Sequence, residues 1–155
     1  MTTSSNIKPV SYEEVHSQLP VLLEKLINAE KFPLETLTKG KIEKILGEKQ
    51  AVPGVYLITE IKGGIPVYVG RSKTLAQRIG TDHRAIQTTQ ATLGLRLWKH
   101  GIEGISCMKT ARDYMYHRFN VSMLPIEDVY VRTIFEVYAA MSLGTTNWYN
   151  SFMEH

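Results

Sequence analysis

Cysteine is nearly absent from this sequence. The chain of 155 residues has one, Cys107, so no disulfide can form within it. The sequence also lacks any apolar run close to the roughly 18 residues that a membrane-spanning helix needs. Its first residues contain no apolar stretch of the kind that secretory leaders carry. We therefore expect a cytoplasmic protein that does not enter a membrane, with Cys107 as a small buried apolar residue.

Positive charge is concentrated in the middle of the sequence, although the net charge of the chain is only +3. Residues 1–50 carry seven Lys and seven Glu, and residues 101–155 carry four basic and six acidic side chains. Residues 51–100 carry seven basic and two acidic side chains, an excess of +5. A polyanion such as nucleic acid is the natural partner of such a surface. A solvated basic surface without a partner has the same composition, so charge alone does not establish DNA binding.

The predicted elements run in the order helices, hairpin, helices, strand and helix. Residues 1–50 have apolar positions at helical spacing and no plausible chemistry, and we interpret them as an N-terminal helical extension. That extension fits a helical cap, a homodimer interface or a DNA-contacting element equally well. Residues 51–155 form the second unit, in which residues 119–124 add a third strand to the hairpin. We predict an α+β fold with a small three-stranded antiparallel sheet flanked by helices.

The segment 53–84 holds the features around which a functional site can be built. Two β-prone runs flank a Gly-Gly pair, which accepts the positive φ of a tight turn. A Gly-Arg-Ser-Lys-Thr break follows, and a helix is predicted to begin near Leu75. This arrangement places Tyr56 and Tyr68 on paired strands and Arg78 on the next helix.

The spacing of these residues resembles that of the GIY-YIG nuclease superfamily. A Gly-Val-Tyr triplet ends at Tyr56, a Tyr-Val-Gly triplet begins at Tyr68 twelve residues later, and Arg78 follows after ten more. Farther along, Glu136 and Asn150, 14 residues apart, are similar in placement to the metal-binding Glu and the late Asn of that superfamily. The resemblance covers about two-thirds of the chain.

The resemblance implies a metal-dependent endonuclease that hydrolyses DNA phosphodiester bonds. In the similar enzymes the first tyrosine, here Tyr56, acts as the general base, and the second, here Tyr68, orients groups and water. Arg78 would bind a non-bridging phosphate oxygen through its forked guanidinium. His83 lies five residues after Arg78, one more than the His or Tyr of many superfamily members. It would either take their proton-relay role or be a solvent-exposed histidine. A phenol with a pKa near ~10 needs nearby cations to serve as a base.

Glu136 is the metal ligand that the resemblance implies, with one Mg²⁺ or Mn²⁺ ion per site. Its helix is predicted to end at Gly144, and Glu136 borders the predicted buried stripe of that helix, where a side chain reaches a cleft. A surface ion pair with Arg132, four residues earlier, is the alternative. Asn150, or its competitor Asn147, would hold a loop or contact the scissile phosphate. The predicted stripe comprises Ile126, Val129, Tyr130, Thr133, Ile134, Val137 and Met141.

Four further residues are predicted DNA contacts in the basic segment. Gly70 would let the backbone or a phosphate approach closely, and Arg71, Lys73 and Arg84 would contribute positive charge. Two other functions share these features. The chain could be a nucleic-acid-binding module of the same fold that does not cleave, or a structural protein whose N-terminal helices bind a partner.

Overall fold

The structure is a computed structural model that describes residues 10–47, 51–87 and 92–152. Those residues form an α+β fold with six α-helices and a four-stranded antiparallel sheet. No helix within the described ranges is long and apolar enough to cross a membrane. In chain order the elements are α1 (Tyr12–Asn28), β1 (Phe32–Pro33), α2 (Lys39–Leu46), β2 (Gly54–Glu60), β3 (Pro66–Ser72), α3 (Leu75–Gly80), α4 (Thr92–Lys99), α5 (Met108–Arg118), β4 (Phe119–Pro125) and α6 (Val129–Leu143).

The sheet has the strand order β1-β4-β2-β3, with β2 buried between two neighbours. The predicted hairpin is confirmed as β2 and β3, and the predicted later strand is confirmed as β4, which pairs with the other edge of β2. Tyr56 lies opposite Gly70 on one side and Met123 on the other. This pairing fixes Tyr56 at the centre of the sheet.

The prediction of three strands is wrong by one, because the N-terminal segment supplies β1. Phe32 pairs with Val121, and Pro33 pairs with Asn120, at the edge of β4. Two residues are too few to show the alternation by which a strand is detected. Pro33 also cannot donate to a ladder, which fits its place in an edge strand.

Two hydrophobic clusters lie on opposite faces of the sheet, and alternate residues of β2 point into each. Tyr56 belongs to the cluster under α2 to α5, whereas Leu57 belongs to the cluster under α1 and α6. Residues before position 48 contribute to both, since Leu26 of α1 and Ile42 of α2 are fully buried. The N-terminal segment therefore shares its core with the rest of the chain.

The buried face of α6 matches the predicted stripe only in part. Ile126, just before the helix, is buried, and Ile134 packs against the same cluster. Val129, Tyr130 and Met141 are exposed, and Met141 keeps 69% of its surface accessible. Because α6 is apolar around most of its circumference, a helical wheel cannot decide which side packs against the sheet. The side that does pack consists of Val131, Arg132, Phe135, Ala139 and Ala140.

The prediction that Cys107 is buried is also wrong. Cys107 is exposed and occupies the N-cap position of α5, where its backbone N–H donates to Thr110 Oγ1 at 3.0 Å. Capping places a residue at the surface end of a helix, which hydrophobicity alone does not reveal.

Candidate active site

Side chains from four elements converge on one open pocket of about 240 Å³. β2, β3, α3 and α6 each contribute at least one residue, and every one of these residues had been predicted from the sequence to belong to the site. The pocket is lined by Tyr56, Tyr68, Gly70, Arg71, Arg78 and Glu136.

The two tyrosines take their places because β3 has a glycine opposite Tyr56. The ring of Tyr56 crosses the backbone of Gly70, where an added Cβ would collide with Tyr56 Cζ and Oη. The Tyr56 and Tyr68 rings lie 6.3 Å apart between centroids. Gly70 was predicted to allow a close approach of the chain or of a phosphate, and here the group that approaches is the phenol of Tyr56.

His83 meets Tyr56 despite its additional residue of spacing from Arg78. Helix α3 ends at Gly80, and a 3-10 turn over Asp82–Arg84 brings His83 back beneath the pocket. Gly80 permits this ending because an added Cβ there would strike the backbone of Lys39. The Nε2 atom of His83 lies 2.5 Å from Tyr56 Oη, whereas its Nδ1 atom is buried without a hydrogen-bond partner among the described residues.

The protonation states of this pair follow from its burial. Burial, and secondarily the Arg78 cation, lowers the pKa of His83 to about 3. Burial, followed by the neighbouring Tyr68, raises the pKa of Tyr56 well above its ordinary value. At neutral pH the imidazole is therefore uncharged and the phenol keeps its proton.

His83 should make folding stability depend on pH in the acid range. The unfolded chain binds a proton on His83 below about pH 6.5, whereas the folded protein does so only near pH 3. Stability is therefore lost as pH falls through this window, by up to about 1.4 kcal/mol per pH unit from this residue. We expect the free energy of unfolding, measured with urea at several values between about pH 4 and pH 7, to depend less steeply on pH for His83→Gln than for the wild type. His16→Gln, at an exposed histidine, is the control, and equal slopes for all three proteins would contradict the assignment.

Arg78 presents a cation to the pocket from a fixed position. Its Nη2 atom donates to Thr92 Oγ1 at 2.6 Å, and its Nη1 atom lies 3.7 Å from Asp82 Oδ2. Burial opposes its charge, but the neighbouring Tyr56 and Tyr68 outweigh that effect and raise the pKa of Arg78. The guanidinium is therefore charged and positioned before any ligand arrives. Neither Thr92 nor Asp82 was predicted to take part, and no local pattern joins Thr92 to Arg78.

Glu136 reaches the pocket from α6 and pairs with Arg71 rather than Arg132. Arg71 Nε lies 3.2 Å from Glu136 Oε1, and the two side chains are 43% and 17% exposed. Arg132 instead donates to the carbonyls of Ile126 and Glu127. Burial raises the pKa of Glu136, while the side chain and backbone N–H of Arg71 act against that rise.

Asn150 lies beside the pocket and holds β3 rather than lining the cavity. Its Oδ1 accepts from the N–H of Val69 at 2.7 Å, and its Nδ2 donates to the carbonyl of Val69 at 2.8 Å. The backbone N–H of Tyr149 donates to the carbonyl of Val67. The tail thus covers the free edge of β3 from Val67 to Val69. Asn147 is exposed in a 3-10 turn and does not reach the strand.

Replacing Asn150 should therefore cost more stability than replacing Asn147. Asn150→Ala leaves a buried N–H and a buried carbonyl of Val69 without partners, a loss of about 2–4 kcal/mol. Asn147→Ala should stay within about 0.5 kcal/mol of the wild type, since its side chain is exposed. Urea unfolding measures both free energies. Equal losses would mean that the Asn150 hydrogen bonds do not hold β3.

The predicted DNA contacts separate into two groups. Gly70 and Arg71 line the pocket, and Lys73 is exposed just beyond the end of β3. Arg84 points elsewhere. Its Nη1 atom donates to the carbonyls of residues 34 and 35, and its guanidinium lies 4.8 Å from the ring centroid of Tyr116. Arg84 therefore links residues 34 and 35 to the 3-10 turn that carries His83.

The donor set of the pocket fits one hydrated divalent cation. Glu136 is the carboxylate among the described lining residues, and the tyrosine hydroxyls and open space leave room for water. Mg²⁺ takes one or two carboxylates in most protein sites and keeps several waters. No group of three or more His, Cys, Asp or Glu side chains suited to a metal ion occurs among the described residues.

Comparison with protein-family models, curated proteins and solved structures gives no significant match for this chain. The case for a function therefore depends on the chemistry of the pocket residues.

Proposed function

We propose that this chain is a metal-dependent endonuclease of the GIY-YIG type that hydrolyses phosphodiester bonds in DNA. The observation that carries the proposal is that one open pocket is lined by Tyr56, Tyr68, Arg78 and Glu136. His83 is hydrogen-bonded to Tyr56 beside that pocket. These residues come from positions up to 80 apart in the sequence. Phosphodiester hydrolysis needs a group that deprotonates water and groups that stabilise the charge on the phosphate. The phenols with the imidazole can serve the first need, and the guanidinium with a carboxylate-held cation can serve the second.

Binding of the scissile phosphate is assigned to Arg78. Its guanidinium is fixed by Thr92 and Asp82, so it can stabilise charge on a non-bridging oxygen without reorganising. The openness of the pocket suits a polymer that enters from the side, and Arg71 and Lys73 extend the positive surface beyond the cavity.

Activation of water is assigned to Tyr56 and His83 together. In the tautomer protonated at Nδ1, His83 accepts the Tyr56 proton at Nε2 while Tyr56 Oη takes a proton from the attacking water. The water oxygen then bonds to phosphorus, the bond to the leaving oxygen breaks, and that oxygen takes a proton from solvent. Burial is the larger cause of the low pKa of His83, and the Arg78 cation is the smaller one. A bound phosphodiester places negative charge near Arg78 and offsets that smaller contribution.

Glu136 would hold a divalent cation through its carboxylate, with water completing the shell. The bound ion supplies Lewis-acid stabilisation of the charge that develops on the phosphate and the leaving group. Tyr68 borders the same cavity, and its hydroxyl is assigned the orientation of water there.

The decisive experiment is incubation of the protein with supercoiled plasmid and with duplex, branched and single-stranded oligonucleotides, each with Mg²⁺ or Mn²⁺. Cleavage at mapped positions that chelator abolishes supports the proposal. Tight DNA binding without cleavage of any substrate would instead indicate a non-cleaving module. Failure to bind DNA at low salt would point to a structural protein.

The salt dependence of DNA binding tests which cations contact phosphates. Without metal, the double variant Arg71→Gln, Lys73→Gln should bind DNA with a weaker dependence on salt. The slope of the logarithm of the binding constant against the logarithm of the salt concentration should become less negative by about 2. Arg84→Gln should leave that slope unchanged and lower stability instead, because Arg84 donates to backbone carbonyls within the protein. Fluorescence anisotropy with a short duplex measures the binding constant of each variant at salt concentrations from about 50 to about 200 mM. A slope unaffected by the double substitution would place the DNA surface elsewhere.

A further inference from the structure

The two cations of the pocket are held in different ways. Arg78 is fixed between Thr92 and Asp82 within the fold. Arg71 projects from the edge strand β3, its side chain is 43% exposed, and the described hydrogen bond of that side chain runs from Nε to Glu136. Arg71 is therefore the cation that can change partner without disturbing the core.

The contact made by Arg71 falls on the carboxylate of the pocket. Glu136 is largely buried, with 17% of its side chain exposed, and Arg71 is the cation that neutralises it. The guanidinium contacts Oε1 of Glu136, so a divalent ion held by either carboxylate oxygen would lie close to a second positive charge. The two cations repel each other, and Arg71 therefore opposes metal binding at Glu136.

We propose that Arg71 is a displaceable counter-ion that couples metal binding to DNA binding. In the DNA-free protein Arg71 neutralises Glu136, and a DNA phosphate draws Arg71 away and leaves the carboxylate to the metal. This inference rests on the proposed function, because it takes Glu136 as the metal ligand. Partly exposed ion pairs are weak, and a guanidinium binds phosphate through two parallel hydrogen bonds, so a phosphate can compete with the single Glu136 contact for Arg71.

The consequence is cooperativity in both directions. If phosphate binding raises the affinity of Glu136 for metal, metal binding must raise the affinity for phosphate by the same factor. The free protein then binds metal weakly, and the site is assembled when DNA arrives.

The test is a titration of the full-length protein with Mn²⁺ in the absence of DNA, with free Mn²⁺ followed by electron paramagnetic resonance. Arg71→Gln should lower the Kd for Mn²⁺ roughly three- to tenfold relative to the wild type, since the competing cation is gone. Lys73→Gln removes a nearby charge that makes no pair with Glu136 and is the matched control. Its Kd should change by less than about twofold, because exposed charges are screened.

A second titration adds a short DNA duplex in a Tyr56→Phe background, which slows cleavage. The duplex should tighten Mn²⁺ binding when Arg71 is present, and that gain should disappear when Arg71→Gln is added. Glu136→Gln with the same duplex measures the Mn²⁺ that binds to DNA alone.

The outcomes separate the inference from the proposed function. If Glu136→Gln leaves Mn²⁺ binding unchanged, Glu136 is not the metal ligand, and both fail. If Glu136→Gln weakens Mn²⁺ binding but Arg71→Gln behaves like Lys73→Gln, the coupling is overturned and the proposed metal site stands. Tighter Mn²⁺ binding by Arg71→Gln together with loss of the DNA effect supports the inference.

Discussion

Glu136→Gln should abolish cleavage while the protein still binds DNA. The substitution keeps the shape of the side chain but removes the charge that would hold the metal, and loss of one essential electrostatic group costs about 10²–10³ or more in rate. Gln can still accept a hydrogen bond from Arg71, so the fold and the basic surface should persist. Cleavage of a mapped substrate and anisotropy with the same duplex are the two measurements.

Glu103→Gln is the control for the loss of one negative charge, since Glu103 is exposed and does not line the pocket. It should cleave at the wild-type rate. Cleavage by Glu136→Gln within threefold of the wild type, roughly 0.7 kcal/mol in barrier height, would remove Glu136 from the mechanism.

The features that could be predicted from the sequence are those with local causes. The Gly63-Gly64 pair predicts the hairpin turn because glycine tolerates positive φ better than other residues. Both glycines have positive φ in the structure. Helix α6 ends at Gly144 for the same reason, with φ of 73°. Strand β4 could be predicted because Phe119, Val121 and Met123 alternate with polar residues in the sequence, and Pro125 closes it.

The features that could not be predicted depend on choices made in tertiary packing. Helix α6 offers apolar residues on several sides, and contact with α1 and the sheet selects Phe135 over Tyr130. Strand β1 exists only because β4 has a free edge beside residues 32–33. Neither outcome leaves a periodic pattern in the sequence.

The candidate site also contains features with local causes and features that depend on tertiary packing. The Tyr-to-Tyr spacing fixes two phenols on paired strands, and the helix after β3 carries Arg78 next to them. The pairing of Arg71 with Glu136 joins residues 65 apart, and opposite charges at that separation give no pattern. His83 reaches Tyr56 through a 3-10 turn. That turn depends on the close contact between Gly80, at the end of α3, and the backbone of Lys39 in α2.

Tyr56→Phe should lower the cleavage rate by about 10²–10⁴ without preventing metal or DNA binding. The substitution removes the hydroxyl that lies between the attacking water and His83 Nε2, but leaves the ring that packs over Gly70. Glu136 keeps its contact with Arg71, and Arg78 keeps its contact with Thr92 while losing its hydrogen bond to the Tyr56 hydroxyl. Single-turnover cleavage with saturating protein isolates the chemical step, and Tyr130→Phe, at an exposed tyrosine, is the matched control.

A double-mutant cycle with His83→Gln decides whether the two residues act as one unit. If Tyr56 passes its proton to His83, each single substitution breaks the same relay. The double variant should then be no slower than the slower single variant. Rate losses that multiply would mean that Tyr56 and His83 act independently. A Tyr56→Phe variant that cleaves as fast as Tyr130→Phe would show that the phenol takes no part in activating water.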